Sequence, residues 1–276
     1  MKRLFAKQTK MASRCILSKR FTSLVQLRPV SKSRWVSTAD SEQAEKTNEN
    51  NEKLYDHHIP TSMLQKLILA GGSALVGLAD PWRADMVAVS GEVTASPAAL
   101  RALRDKMLAC DEGRVVLETR PRITSSILTD LAALPPNTLG FRYQAFLTKH
   151  DITPDSRAEV SFVDCPDLAY VMTRYRETHD LTHCILGMPT TMVGEVAVKW
   201  VEALQLGLPM CVGGAVLGPL RFGAKQREQY EKVMPWAVEI GNKASFLLAV
   251  HWENRWEQDF EQLQRELGIT PAPKFL

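Results

Sequence analysis

The amino-acid sequence predicts an all-α domain. Apolar residues recur at intervals of three and four over long segments, whereas the alternating pattern typical of strands is scarce. Helix-start signals precede several of these segments, as at Ser96-Pro97, where Ser96 suits the N-cap and Pro97 the first helical position. We therefore expect one helical domain over residues 54–276, which is long enough to bury a substantial core.

The first half of this domain contains four predicted helices and one ambiguous segment. Asp111-Glu112-Gly113 is expected to end the helix that Ser96 begins, and Pro135-Pro136 to end a weakly helical segment. Thr153-Pro154-Asp155 reads as a turn. Helices are expected over residues 61–78, 96–108, 122–134 and 139–150, with residues 83–89 as a helix or turn.

The second half is predicted to contain four long helices. Gly187 and Pro189 break the first of them, and Thr190 or Thr191 can cap the second. Gly207-Leu208-Pro209 is expected to end that second helix. Helices are expected over residues 164–186, 190–206, 225–242 and 243–267.

The N-terminal segment differs in kind from the rest of the chain. Ten Lys and Arg residues and no Asp or Glu precede Asp40, and Ser, Thr and apolar residues are interspersed. This composition is typical of a mitochondrial transit peptide, which we assign to residues 1–36; a disordered basic tail that binds nucleic acid is the alternative. Residues 37–53, which are polar and nearly free of apolar side chains, are interpreted as a disordered linker.

Removal of the transit peptide changes the electrostatic character of the protein. The whole chain has 34 basic and 31 acidic residues, net +3, so loss of those ten basic residues leaves 24 against 31, net −7. A mildly acidic body gives no support for binding of nucleic acid, which requires a basic face. The five cysteines have no CxxC spacing, so neither a disulfide framework nor a Cys-rich zinc site is expected.

A pair of histidines is the strongest functional signal. His179 and His183 stand four residues apart and share one face of the predicted helix, and Glu195 follows after eleven residues. A bend at Gly187–Pro189 would bring Glu195 within reach of both imidazoles. Such a set suits Zn²⁺, but also Mn²⁺ or Fe²⁺. The spacing alone is equally compatible with a polar helix face that binds nothing.

The residues around this pair resemble a known family. The run Arg174–His183, then Gly194-Glu195 and Lys199-Trp200, is similar to the signature of a coenzyme Q (ubiquinone) biosynthesis family, whose motif is HDxxH-x11-E. The resemblance extends over about residues 54–270.

The resemblance implies a helical zinc protein on the matrix face of the mitochondrial inner membrane, within the complex of enzymes that synthesises coenzyme Q. Carried over to this sequence, the zinc ligands would be His179, Asp180, His183 and Glu195. Asp180 stands about 100° around the helix from His179. It could therefore bind the metal or orient a His ring instead.

The activity that the resemblance implies is removal of the C1 carboxyl group from 4-hydroxy-3-methoxy-5-polyprenylbenzoate, giving 2-methoxy-6-polyprenylphenol. We expect Asp180 and Glu195 to be the catalytic residues, and one or the other could exchange with water during turnover. An oxidative version would add a hydroxyl group at C1 and would require O₂. The alternative is a non-catalytic, lipid-binding scaffold that organises the complex and uses zinc structurally.

The polyprenyl tail and the anionic group of the substrate would need their own sites. The apolar residues in 63–78 could form a hydrophobic groove that opens to inner-membrane lipid. Alternatively, they make ordinary core contacts, which the composition favours, or form a dimer face. Arg174 and Arg176 suit either an anionic group or surface ion pairs.

Overall fold

The computed structural model describes residues 53–80 and 83–273. The predicted transit peptide and all but the last residue of the predicted linker lie outside these described residues. Within them the chain forms α-helices and short 3₁₀ turns without a β-strand, which confirms the all-α fold class. The α-helices are α1 (Met63–Ala79), α2 (Ala84–Thr94), α3 (Pro97–Leu108), α4 (Asp111–Thr119), α5 (Leu128–Ala132), α6 (Leu139–His150), α7 (Pro166–Leu186), α8 (Met192–Leu206), α9 (Pro209–Leu217), α10 (Ala224–Lys243) and α11 (Phe260–Glu266).

Side-chain caps begin several helices where the sequence predicts them. Ser62 and Gln65 form a capping box at the start of α1. Ser96 accepts a hydrogen bond from the Ala99 amide at the start of α3, with Pro97 at the first helical position.

The helix ends predicted at Asp111-Glu112-Gly113 and at Gly207-Leu208-Pro209 are present, but the sequence does not predict the helices α4 and α9 that begin there. Asp111-Glu112-Gly113 does not merely end α3 but begins α4. Gly113 permits the tight junction, since a Cβ there would lie 2.2 Å from the Met107 carbonyl oxygen. Pro209 likewise starts a helix, α9, because a proline at the first helical position sacrifices no hydrogen bond.

The prediction of one continuous helix over residues 243–267 is wrong. The chain leaves α10 at Ala244, passes through two 3₁₀ turns, and becomes α-helical again only at Phe260. Gln205 accepts from the Leu247 amide and donates to the Ser245 carbonyl, and Arg174 donates to the Val250 carbonyl. These contacts satisfy backbone groups that a continuous helix would use itself.

Helix α7 is the central element of the domain. Sixteen of its 21 residues are buried, so its polar side chains must find partners inside the protein. Residues 168–175 pack in one apolar cluster with α3 and α4, whereas residues 181–186 pack in a second cluster with α8 and α10. His179 and Asp180 lie on α7 between these two clusters.

Helix α1 presents an apolar surface to solvent. Five of its large apolar residues are more than 60 % exposed: Met63, Leu64, Leu67, Ile68 and Leu75. The expectation of ordinary core contact is therefore wrong for these five side chains. In the described part of the chain, no helix is both long and apolar enough to cross a membrane.

The central position of α7 predicts a large stability cost for a cavity there. Leu181 is fully buried, so Leu181→Ala should lower the free energy of unfolding by about 2–5 kcal/mol. Leu220→Ala is the matched control, because Leu220 is 74 % exposed and its truncation should cost far less. Urea denaturation of both variants measures the difference, and equal costs would contradict this account of the core.

Candidate metal centre

A tight turn joins the two helices that form the centre. Helix α7 ends at Gly187, whose φ of 66° is left-handed and favours glycine. The Met188 amide then donates to the His183 carbonyl at 2.9 Å, which closes the end of the helix. The chain reverses within five residues and enters α8 at Met192. The predicted bend is therefore present, and α8 packs against α7.

The start of α8 brings Glu195 to the centre. Thr191 caps the helix by accepting from the Gly194 amide at 3.3 Å, which confirms one of the two predicted caps. Gly194 approaches the turn so closely that a Cβ there would lie 2.0 Å from the Pro189 carbonyl oxygen. Glu195 occupies the first turn of the helix, where the helix dipole stabilises a carboxylate.

Three of the four predicted ligands converge on one point. One ligand atom from each of His179, His183 and Glu195 lies within 4.8 Å of the others. The Glu195 carboxylate spans both rings, with one oxygen 3.5 Å from His179 Nε2 and the other 3.3 Å from His183 Nε2. The two imidazoles stand 4.8 Å apart at an angle of 88°.

The Nδ1 atom of each imidazole has a hydrogen-bond partner away from the centre, so Nε2 is the nitrogen that faces Glu195. The Met188 carbonyl oxygen lies 3.1 Å from His183 Nδ1 and can only accept, so Nδ1 carries the proton. His183 Nε2 is buried and has no hydrogen-bond partner in the part of the chain that the structure describes. In the neutral ring, its lone pair therefore faces the Glu195 carboxylate, which is also an acceptor. A contact between two acceptors is favourable only when a proton or a metal cation lies between them.

The charges at the centre shift the ionisation of its groups. Burial opposes ionisation of Glu195, but the two imidazoles outweigh it and hold the pKa of Glu195 well below its usual range. Burial and the Lys199 ammonium lower the pKa of His179, yet Glu202 and Glu195 raise it above its ordinary value. Glu195 is therefore present as a carboxylate, the form that binds a metal.

A charged group that is not predicted from the sequence lies behind His179. Glu202 Oε1 lies 2.6 Å from His179 Nδ1, and Lys199 Nζ lies 2.6 Å from Glu202 Oε2. The Tyr175 hydroxyl also contacts both Lys199 and Glu202. One signal was available, because Glu195, Lys199 and Glu202 stand at i, i+4 and i+7 and so share a face of α8.

Asp180 lies apart from the three converging residues. Its buried carboxylate forms an ion pair with Arg157, and the atoms grouped at the centre do not include it. The carboxylate that contacts the far nitrogen of His179 is Glu202. Coordination by Asp180 stays a prediction, and in this arrangement it would have to leave Arg157.

The two arginines singled out in the sequence form internal ion pairs. Arg174 is fully buried and pairs with Glu253, so it is neither a surface residue nor open to a ligand. Arg176 pairs with buried Glu92 and lines a pocket beside α7. The same pocket is lined by Arg122 and Arg157 and by three acidic residues, Asp155, Glu159 and Glu177. Because the three arginines are balanced by three carboxylates, the lining charges of this pocket do not favour binding of an anion.

The donor set fits a divalent cation. Two imidazole nitrogens with one carboxylate match the ligand types of catalytic zinc sites, in which three protein ligands leave one position open. The Glu195 side chain is 38 % exposed, so the centre is accessible from solvent, whereas His183 is fully buried. Binding of Zn²⁺ stays a prediction at this point.

Comparisons with known proteins agree on one family. Residues 55–273 match the family described as coenzyme Q (ubiquinone) biosynthesis protein Coq4. A mitochondrial ubiquinone biosynthesis protein COQ4 homolog of Aedes aegypti is 51 % identical over 84 % of this chain and 86 % of its own length. The Homo sapiens homolog is 49 % identical over 80 % of this chain and 84 % of its own.

A crystal structure shares the fold. A putative ubiquinone biosynthesis protein from Nostoc punctiforme superposes with a TM-score of 0.58 and covers 74 % of this chain and 96 % of its own. The two sequences are 20 % identical, so this likeness speaks to the fold alone.

The close approach at Gly194 predicts a loss of metal affinity on substitution. Gly194→Ala would push the start of α8 away from Pro189 and move Glu195 from the imidazoles, so the zinc dissociation constant should rise by about tenfold or more. Gly213→Ala on α9 is the matched control, since a Cβ there meets nothing within 4 Å. Competition with a chromophoric chelator measures both; equal affinities would contradict this reading of the turn.

Proposed function

The chain belongs to the coenzyme Q (ubiquinone) biosynthesis Coq4 family, and from this premise we propose that it is a zinc-dependent decarboxylase of the pathway. The substrate proposed is 4-hydroxy-3-methoxy-5-polyprenylbenzoate, and the product is 2-methoxy-6-polyprenylphenol. The observation that carries the proposal is the convergence of His179, His183 and Glu195 with their lone pairs aimed at one point.

The reaction breaks the bond between C1 of the ring and its carboxyl carbon. CO₂ leaves and a proton takes its place at C1, so no oxidant is consumed in the simple form of the reaction. Protonation at C1 before cleavage places positive charge on the ring, which the para hydroxyl group helps to accept. A bound Zn²⁺ would supply a Lewis acid that holds the carboxylate or phenolate of the substrate.

We assign separate roles in metal binding and catalysis to four residues of the chain. His179 and His183 would hold the metal through Nε2, while their Nδ1 atoms contact Glu202 and the Met188 carbonyl. Glu195 would be the ligand on the exposed side of the centre, where it could exchange with water or substrate. Asp180, which forms an ion pair with Arg157, is the second carboxylate assigned to catalysis.

Catalysis is favoured over a purely structural zinc by the ligand set. Structural zinc sites are usually closed by four strong ligands and are rich in cysteine. Here the converging residues number three and include no thiolate, and one of them is 38 % exposed. The second candidate function is a lipid-binding scaffold for the coenzyme Q enzymes; the exposed apolar residues of α1 favour it, since a scaffold also needs a docking surface.

The proposed location is the matrix face of the mitochondrial inner membrane, in the complex of coenzyme Q synthesis enzymes. Relatives that cover most of the chain are named as mitochondrial. The apolar surface of α1, with five large side chains more than 60 % exposed, suits peripheral contact with lipid. The same surface would meet the polyprenyl tail of a substrate that resides in the bilayer.

The decarboxylase proposal predicts zinc-dependent release of CO₂. Zinc-loaded protein given the benzoate with a short prenyl tail should release CO₂, and His183→Ala or Glu195→Ala should reduce the rate by about 100-fold or more, because each removes a ligand. Glu228→Gln is the matched control, since this carboxylate is exposed and pairs with Lys232 on the surface of α10. Trapping of labelled CO₂ measures the rates.

Product analysis after a single turnover, with and without O₂, separates the remaining outcomes. Release of CO₂ without O₂ and with hydrogen at C1 supports the simple reaction. A hydroxyl group at C1 and a requirement for O₂ would replace it by oxidative decarboxylation. Unchanged CO₂ release in both ligand variants would overturn the zinc-dependent reaction, and loss of complex assembly with unchanged chemistry would favour the scaffold.

The membrane proposal predicts that charge on α1 weakens binding to vesicles. The double variant Leu67→Glu/Ile68→Glu should bind vesicles of phosphatidylcholine and cardiolipin about tenfold more weakly, because two exposed apolar side chains would no longer enter the lipid. Val115→Glu is the control, since Val115 is also exposed but lies on α4. Cosedimentation measures binding, and equal binding of all three proteins would contradict this role for α1.

A further inference from the structure

We propose that Glu202, fixed by Lys199 and Tyr175, is a positioning residue that sets which nitrogen of His179 faces the metal. The inference rests on the metal site proposed above and assigns a task to residues outside the HDxxH-x11-E motif. Glu202 does not reach the centre itself; it contacts the far side of the His179 ring.

Each oxygen of Glu202 has a separate task. Oε1 lies 2.6 Å from His179 Nδ1. Oε2 receives hydrogen bonds from Lys199 Nζ at 2.6 Å and from the Tyr175 hydroxyl at 3.2 Å. The Cys211 thiol also lies 3.6 Å from Oε2. Because donors occupy Oε2, the carboxylate cannot rotate away, and Oε1 remains an acceptor for the imidazole.

The Lys199 ammonium makes an ionised carboxylate tenable at this depth. The Glu202 side chain is only 5 % exposed, and an unpaired charge buried to that extent is strongly destabilising. Lys199, itself 13 % exposed, neutralises it within the same turn of α8. The pair is therefore close to neutral overall, so it can orient His179 without placing a large net charge behind the metal.

The consequence for His179 is a fixed tautomer. A carboxylate that accepts from Nδ1–H leaves the lone pair of a neutral ring on Nε2, the nitrogen that faces Glu195. Carboxylates in this relation also raise the basicity of the coordinating nitrogen. His183 obtains the same tautomer from the Met188 backbone carbonyl. A side-chain carboxylate thus orients His179 and a backbone carbonyl orients His183, with Nε2 facing the centre in both rings.

The geometry gives a sharp expectation for Glu202→Gln. Lys199 and Tyr175 donate, so they attract the amide oxygen of the glutamine and leave its NH₂ group towards His179. An NH₂ group requires an acceptor at Nδ1, which moves the ring proton to Nε2 and removes the lone pair from the metal side. A nearly isosteric substitution would in this way reverse the tautomer.

The first experiment compares zinc affinities by competition with a chromophoric chelator in the full chain. Glu202→Gln should weaken zinc binding by about 10- to 100-fold. Glu177→Gln is the matched control: Glu177 is a buried carboxylate on α7 that pairs with Arg122, and it should keep the affinity of the unaltered protein. Wild-type affinity in Glu202→Gln, or an equal loss in the control, would overturn the proposal.

The second experiment requires no metal and so separates this inference from the metal site itself. Long-range ¹⁵N–¹H correlation spectra of the metal-free protein, at alkaline pH where imidazoles are neutral, report which nitrogen carries the proton. His179 should carry it on Nδ1 in the unaltered protein and in Tyr175→Phe, a milder change that retains Lys199. It should carry it on Nε2 in Glu202→Gln. An Nε2–H tautomer in the unaltered protein would overturn the positioning role even if zinc binds.

Discussion

The central constraint on this structure is that three potential metal-binding groups, two imidazoles and one carboxylate, face the same point. His183 Nε2 lies 3.3 Å from one oxygen of Glu195 and has no hydrogen-bond partner among the described residues. Such an arrangement is costly unless a proton or a metal cation lies between the groups. The turn at Gly187, the close approach at Gly194 and the buried pair behind His179 all act to maintain it.

The position of α7 explains how the domain tolerates so many polar groups in its interior. The helix belongs to one apolar cluster through Tyr175 and to the other through Leu181, and the centre falls between them. Both histidines of the centre come from this helix, which is buried on most of its circumference. Glu195, from the next helix, supplies the exposed side of the centre. A rigid half and an accessible half suit a site at which substrate must enter.

The sequence predicts the fold class and the convergence of three ligands, because helical periodicity and the i, i+4 relation are local properties. Prediction from the sequence fails where contacts between residues far apart in the chain determine the local structure. Residues 243–267 have the pattern of one helix, but Gln205 accepts a hydrogen bond from the Leu247 amide and Arg174 donates one to the Val250 carbonyl, and these contacts hold the segment in turns. Glu202 was missed for a similar reason, since only packing of α8 on α7 brings it to His179. The pairing of Asp180 with Arg157 depends on a loop that no local pattern places.

The central claim, that His179, His183 and Glu195 hold a zinc ion, is tested most directly by X-ray absorption at the zinc edge of the stoichiometrically loaded protein. The account predicts a shell of nitrogen and oxygen atoms at about 2.0–2.1 Å with the multiple-scattering signature of two imidazoles. A sulfur atom at about 2.3 Å would assign the metal to a cysteine site and contradict the account. So would a shell that lacks imidazole, or failure of the protein to retain zinc.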